Sequence, residues 1–259
     1  MKFEGKTIVV TGTSRGLGAQ TAQQLQAAGA RVIGLDKNET TAHVDRYIPL
    51  DLADGGSIKT AVSQIDEPIH GLCNIAGVAP TLPPDLVLKI NFLGTRQLTE
   101  ALLPKIEEGG SVVHIASGTG MGWARNIAKH KVLRELSLAD DIDAFCTEYE
   151  IVKANSYHFS KEAIIAWTVG EWKRREERDV RMNAVSPGPI ETPLLPDFLS
   201  DMTTPDAPMF EMKNSNATPE DVANVVLFLL DDASRWIHAA NIPVDGGLSA
   251  IVQKRIFQF

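Results

Sequence analysis

Tyr157 and Lys161 stand four residues apart in a stretch with helical patterning, so both side chains project from one helix face. A free phenol, with a pKa of about 10, is a poor base at neutral pH. An ammonium beside it favours the phenolate. The pair therefore predicts a lowered Tyr157 pKa and a side chain able to take or return the proton of an alcohol. Ser117 follows an apolar run over 111–116, where its hydroxyl can bond an oxygen on which charge develops. Asn91 is a polar residue among Ile90, Phe92 and Leu93, where no apolar packing role suits it. Upstream, Thr11-Gly12-Thr13-Ser14-Arg15-Gly16-Leu17-Gly18 joins a strand-like run to a helix-like one. Glycines there let the backbone turn sharply and approach a pyrophosphate, and a helix N-terminus offers free N–H groups with partial positive charge. A P-loop is excluded, because Leu17-Gly18 replaces its Lys-Ser/Thr. G-x-G-x-x-G spacing fails at Thr21.

These groups need a frame. Short apolar runs at 7–11, 31–35, 47–50, 71–75, 111–116, 180–185 and 241–244 read as strands. Helical patterning fills the gaps. Gly18, Ala22, Leu25 and Gly29 form a stripe; further helices are expected at 57–65 and 95–106, and one long helix at 155–178. Thr218 caps another, with Pro219 at its first position and Glu220 and Asp221 in its first turn. The alternation predicts an α/β fold with a mostly parallel sheet, and strands apolar on both sides require helices on both faces. Two stretches break the rhythm, about 118–155 and 193–217. Both read as insertions in a single domain over 1–259.

Composition sets the boundaries. The chain has 259 residues, 44% apolar and 22% charged, enough for a sizeable core without staples. Cys73 and Cys146 cannot make a disulfide framework, which suits a reducing, cytoplasmic setting. The net charge of −8 argues against nucleic-acid and anionic-membrane partners. The longest apolar run, Val225 to Leu230, falls far short of the ~20 residues of a membrane span.

The glycine turn has the form T-G-x-x-x-G-x-G, and with it the chain resembles the short-chain dehydrogenase/reductase family. Further landmarks follow in order. Asn74-Ile75-Ala76-Gly77 is similar to the family's N-A-G turn, Ile90 to Gly94 to its N-x-x-G segment, and Tyr157 and Lys161 to its Y-x-x-x-K pair. Ser186 to Thr192 resembles its P-G…T segment, and Asp245-Gly246-Gly247 its D-G-G. The resemblance covers almost the whole chain. It implies one doubly wound Rossmann domain with about seven parallel strands, helices on both faces, and NAD as cofactor.

The cofactor residues it implies are Gly12, Ser14, Arg15, Gly16, Leu17 and Gly18 in the turn, with Asp36, Asp51 and Leu52 at the adenosine. Asn74, Ala76 and Gly77 follow, then Tyr157 and Lys161, then Pro187, Gly188, Ile190 and Thr192. The implied catalytic set is Asn91, Ser117, Tyr157 and Lys161. Lys161 also holds the nicotinamide ribose, and Asn91 anchors a water leading to solvent. Asp36 can accept both ribose hydroxyls and would repel a 2′-phosphate, which predicts NAD over NADP. Lys37 beside it is a cation of the kind that holds such a phosphate. No metal is expected, since His114, His130 and His158 lack ligand spacing.

Two subgroups share more. The stretch from Gly71 to Gly94 and the ending Ser234 to Gly247 resemble bacterial coniferyl-alcohol dehydrogenases. The insertion after Ser117, the segment Glu191 to Leu195 and the tail resemble bacterial 3α-hydroxysteroid dehydrogenases. The family's substrate flap follows Thr192. Here it carries Leu194, Leu195, Phe198, Leu199, Met202, Met209, Phe210 and Met212, and no Lys or Arg occurs from Met182 to Met212. This predicts a hydrophobic, uncharged alcohol or its carbonyl, either aromatic allylic or polycyclic like a steroid or terpenoid. Leu194, Leu195 and Phe198 would touch it beside Ser117 and Tyr157, with Met121 and Trp123 as a second apolar wall.

The insertion's charges divide into a basic part (Arg125, Lys129, Lys131, Arg134) and an acidic part (Asp140, Asp141, Asp143, Glu148, Glu150), read as solvated helix faces. The apolar tail over 251–259 predicts a homo-oligomer, a dimer or tetramer. Two rival readings share the fold: a nucleotide sensor without turnover, and an epimerase or lyase that returns its hydride. Retention of Asn91, Ser117, Tyr157 and Lys161 argues against both.

Overall fold

Among the described residues, seven strands make one sheet, all parallel: β1 (Thr7–Thr11), β2 (Arg31–Asp36), β3 (Arg46–Pro49), β4 (Ile69–Asn74), β5 (Ile106–Ile115), β6 (Arg181–Pro187) and β7 (Asn241–Val244). Their order is β3-β2-β1-β4-β5-β6-β7. This computed structural model describes residues 2–201 and 216–258. Of the expected flap and tail residues, Met202, Met209, Phe210, Met212 and Phe259 lie outside them, as do the side chains of Leu199, Ile256 and Phe257.

The strands read as uniformly apolar because successive residues enter two different cores. Val9, Ile33, Leu72, Val112 and Met182 point to one face. Ile8, Val10, Val32, Val113 and Val185 point to the other. The second face is closed by α1 (Gly16–Ala27) and α10 (Pro219–Leu230), through Leu17, Ala22, Leu25, Val222 and Val226. The first is closed by α2 (Gly55–Ser63), α3 (Pro84–Leu88), α4 (Thr95–Leu102) and α7 (Lys153–Gly170), through Ile58, Leu88, Leu98, Ile164 and Trp167. Each large side chain so buried contributes about 1.5–3 kcal/mol relative to exposure.

The expected 118–155 insertion forms a 3₁₀ segment over Gly118–Asn126, then α5 (Ile127–Glu135) and α6 (Ile142–Glu148). It packs on α7. His130 stacks on Phe159 at 4.5 Å, and Asn126 and His130 both bond Glu162, at 2.7 and 3.1 Å. Phe159 through Ile165 are consequently buried all round the helix.

The single helix expected over 155–178 is two. α7 ends at Gly170, and α8 (Arg174–Arg178) follows a turn. His238, arriving from 66 residues downstream, faces the carbonyls of Glu171 and Trp172 at 3.2 and 3.1 Å, engaging oxygens that would continue the helix. The tail is also helical, as α11 (Leu248–Phe257), and α9 (Leu195–Asp201) opens the segment after β6.

Candidate active site

The strand order reverses between β1 and β4. Chain leaving β1 enters α1 on one face, and chain leaving β4 enters α3 and α4 on the other. The carboxyl ends of the strands therefore diverge above a crevice, where ligands of such folds bind. The crevice is a cleft of about 1480 Å³.

Its nucleotide end is built from the glycine turn. A Cβ on Gly18 would meet the Gly12 carbonyl oxygen at 2.0 Å, so only glycine lets α1 start that close to the turn. Thr11 fastens the turn to the next strand: its hydroxyl accepts from the Ile75 and Ala76 amides at 2.9 and 3.0 Å. Gly12, Ser14, Arg15, Gly16, Leu17 and Gly18 all line the cleft. Asp36 does too, at the end of β2, where its carboxylate accepts from the Ser14 and Asn38 amides at 2.9 and 2.8 Å. Lys37 pairs with Asp51 at 2.7 Å; the contact holds Lys37 above and Asp51 below their usual ranges. Leu52, Ala76, Gly77, Pro187, Gly188, Ile190 and Thr192 complete the expected nucleotide wall. A cradle that a methyl group would fill, followed by a carboxylate at the second strand's end, fits an adenine dinucleotide.

The chemical end sits on β5, the 3₁₀ segment and α7. Ser117 caps the 3₁₀ segment, its oxygen accepting from the Thr119 amide and hydroxyl at 3.3 and 3.1 Å. Tyr157, Lys161, Lys153, Ala154 and His158 form one stripe along α7 facing the cleft. The Lys161 ammonium donates to the Ile115 carbonyl at 2.8 Å and lies 5.7 Å from the Tyr157 ring centroid. Burial pushes the Tyr157 phenol up to about 12, opposed by a hydrogen bond with Ser117. Burial pushes Lys161 down to about 8. This runs against the expected lowering of Tyr157: desolvation outweighs the Ser117 bond, and the Lys161 ammonium donates to the Ile115 carbonyl.

Asn91 stands in a π-helical turn, Lys89–Gly94, between α3 and α4. It does not line the cleft. Its oxygen accepts from the Val78 amide at 2.8 Å, and its nitrogen donates to the Val78 carbonyl and the Ser160 hydroxyl, both at 3.1 Å. It ties the loop after β4 to α7. Gly94 ends that turn against Leu52, whose carbonyl a Cβ would meet at 1.9 Å.

Besides Asn91, two expected site residues lie off the cleft. Asn74 is buried beneath the cleft, donating to Thr99 at 2.9 Å and facing His114 at 3.0 Å, so its side chain braces β4 against α4 and β5. Trp123 packs on the core. The 3₁₀ period of three explains this. Gly118, Met121 and Ala124 form one row and Thr119, Gly122 and Arg125 another, both lining the cleft. The third row, Gly120, Trp123 and Asn126, turns inward: a Cβ on Gly120 would meet the Lys161 backbone at 2.9 Å, and Asn126 bonds Glu162.

Leu194, Leu195 and Phe198 do reach the cleft, and Phe198 stacks edge-on to Tyr157 at 4.7 Å. Leu248 and Val252 of α11 also line the cleft, which the sequence reading did not foresee. It also missed Lys153 as a cleft residue, and Arg125, solvated as expected, stands at the cleft too. Helical spacing back from Tyr157 could have found Lys153.

Comparison with known proteins agrees with this geometry. The family model described as short chain dehydrogenase matches residues 6–128, and one described as enoyl-(acyl carrier protein) reductase matches 142–249. A coniferyl-alcohol dehydrogenase from Pseudomonas sp. strain HR199 is 40% identical, over 96% of this chain and 99% of its own. A 3-alpha-hydroxysteroid dehydrogenase/carbonyl reductase from Comamonas testosteroni is 28% identical over 96% and 99%. Among solved structures, the 3-alpha-hydroxysteroid dehydrogenase from Pseudomonas sp. B-0831 complexed with NADH superposes with a TM-score of 0.81 at 27% identity, covering 96% of this chain and 99% of that one. With relatives matched from end to end, and the glycine turn and the Tyr157–Lys161 helix face meeting in one cleft, the chain belongs to the short-chain dehydrogenase/reductase family and is an oxidoreductase of that type.

Proposed function

We propose that this protein is an NAD-dependent alcohol dehydrogenase that interconverts a hydrophobic alcohol, aromatic allylic or cyclic, with its aldehyde or ketone. The observation that carries this reading is the meeting of Ser117, Tyr157 and Lys161 in a cleft whose other end holds Asp36. When bound, the nicotinamide accepts or donates the hydride. The chain's residues do the remainder. The Tyr157 phenol, protonated with a pKa of about 12, is a ready donor to a carbonyl oxygen. In the oxidation direction it must first lose that proton, and the Lys161 ammonium is the nearby charge that favours the phenolate once freed from Ile115. Ser117 bonds the substrate oxygen and shares its developing charge. Asn91 keeps the loop carrying Gly77 against α7. Met121, Leu194, Leu195 and Phe198 exclude water.

Asp36 supports NAD as the cofactor, and the Lys37–Asp51 pair occupies the neighbouring cation. The names of two similar proteins, a coniferyl-alcohol and a 3-alpha-hydroxysteroid dehydrogenase, support an aromatic allylic or a ring alcohol. Measuring NADH formation with cinnamyl-type, cyclic terpene, steroid and short polar alcohols tests the reading. Hydrophobic alcohols should turn over fastest, and kcat/KM should be higher with NAD than with NADP; faster turnover of small polyols, or a preference for NADP, overturns the corresponding part. We also place the protein in the cytoplasm, in keeping with two buried free thiols, as a homo-oligomer. A monomer by light scattering at micromolar concentration rules the oligomer out. No helix among the described residues is long and apolar enough to cross a membrane.

A further inference from the structure

An acid is sealed into the helix that carries Tyr157. Glu162 follows Lys161 on α7 and is 8% exposed, with Lys161, Ala163, Ile164 and Ile165 buried around it. It does not line the cleft. A buried carboxylate is costly unless hydrogen bonds meet it. Here one oxygen accepts from two side chains of the insertion, Asn126 Nδ2 at 2.7 Å and His130 Nε2 at 3.1 Å. Burial raises the Glu162 pKa, but the His130 and Asn126 bonds outweigh it and hold the carboxyl below its usual range. The other oxygen lies against Gly122, where a Cβ would meet it at 3.1 Å.

These contacts all fall on the 3₁₀ segment that walls the cleft, or just after it. The segment runs for nine residues. Runs beyond about four are uncommon, because 3₁₀ hydrogen bonds are poorly aligned, so a wall of this kind needs an outside hold. Its near end is fixed at Ser117, whose oxygen accepts from the Thr119 amide and hydroxyl. In the middle, Gly120 lies flat against the Lys161 backbone and the Ile165 side chain, a contact of shape alone. Its far end is the one that Glu162 grips, through Asn126 and, one turn into α5, through His130, whose ring is itself stacked on Phe159. Between the two ends stand Met121, Gly122, Ala124 and Arg125, all lining the cleft.

We propose that Glu162 is a positioning residue for the substrate: its carboxylate fixes the 3₁₀ wall against α7, and so sets where Met121 and Ala124 stand relative to Tyr157. This rests on the alcohol chemistry proposed above. Glu162 and Tyr157 belong to the same helix, so a wall held by the one is indexed to the element that carries the other. Releasing the wall costs affinity for alcohols large enough to reach it. It leaves the chemical step alone, because Ser117, Tyr157 and Lys161 make none of their hydrogen bonds to Glu162. The signature is therefore a raised KM with kcat retained.

The test compares the hydrophobic alcohol that turns over fastest in the panel above with allyl alcohol, which is too short to reach the wall. In Glu162→Met, which fills the space and removes the acceptor, KM for the hydrophobic alcohol should rise at least about fivefold with kcat within about twofold, and kcat/KM for allyl alcohol should stay within about twofold. Glu162→Gln keeps an oxygen that can accept from both donors and should restore most of the lost affinity. Asn126→Ala, at a half-buried position in the insertion, should give part of the same rise, and should add little to Glu162→Met because both remove one shared bond. Hydrogen exchange reads the wall without any substrate: amides over 118–130 should exchange faster in Glu162→Met and as in the wild type in Glu162→Gln. Exchange unchanged in Glu162→Met, or a loss of kcat shared equally by both alcohols, overturns the proposal. A wild type that turns over no alcohol in the panel refutes the alcohol chemistry instead, and the exchange data then decide for or against Glu162 by themselves.

Discussion

Tyr157 and Lys161 show how far a pair of residue types can be read and where reading stops. Their spacing placed them on one face, and the fold keeps them there. Their protonation was not legible, because it depends on desolvation and on the Ile115 carbonyl, which arrives from 46 residues away. Tyr157→Phe should lower kcat by at least about a hundredfold while NADH still binds, as fluorescence titration would show. Retention of a tenth of the activity would refute the role. Lys161 yields a pH prediction. Its folded pKa is depressed to about 8 from 10.5, so between those values the unfolded chain binds the extra proton. The Lys161 contribution to stability therefore rises with pH across that window as the cost of a buried ammonium is relieved, by on the order of 3 kcal/mol at most. In Lys161→Met that rise should vanish, which urea midpoints at about pH 8 and pH 10 would show. Tyr157, Cys73 and Cys146, all raised by burial, contribute the opposite slope at high pH in both proteins, so the difference between the two isolates Lys161.

At the scale of elements, the strands and most helices were legible because each apolar run had a simple period. Breaks imposed by distant residues were not: α7 ends where His238 meets it, and no local signal announces that. The π turn at Asn91 and the 3₁₀ wall were hidden for a related reason, since their periods are neither 2 nor 3.6. Gly94 is the most exacting contact among these elements. Gly94→Ala would put a methyl 1.9 Å from the Leu52 carbonyl and force the π turn off the nucleotide wall. The expected outcome is a loss of about 1–3 kcal/mol, a melting temperature lower by several degrees, and weaker NAD binding by calorimetry.

For the molecule as a whole, one sheet with two cores carries a cleft assembled from remote segments: the glycine turn, the insertion, α7, α9 and α11. The tail's contribution to the cleft was not legible, because an apolar tail looks alike whether it meets a partner subunit or its own cleft. Leu248 and Val252 do the latter. Exchanging both for serine should raise KM for hydrophobic alcohols severalfold and leave the unfolding midpoint within about 0.5 kcal/mol, because neither is part of the buried core. Steady-state kinetics and denaturant curves on the same preparation would decide it.

The three rows of the 3₁₀ wall give the cleft a reading frame. Substitutions at 121, 124 or 125 alter one side chain and leave its neighbours facing as before. A one-residue deletion at Gly118 would instead rotate everything after it by a third of a turn. Trp123 would swing toward the ligand and Met121 would enter the slot of Gly120, where even a methyl meets the Lys161 backbone at 2.9 Å. Drift in side-chain identity can therefore retune this wall gradually, whereas drift in length jams it against the helix that bears Tyr157.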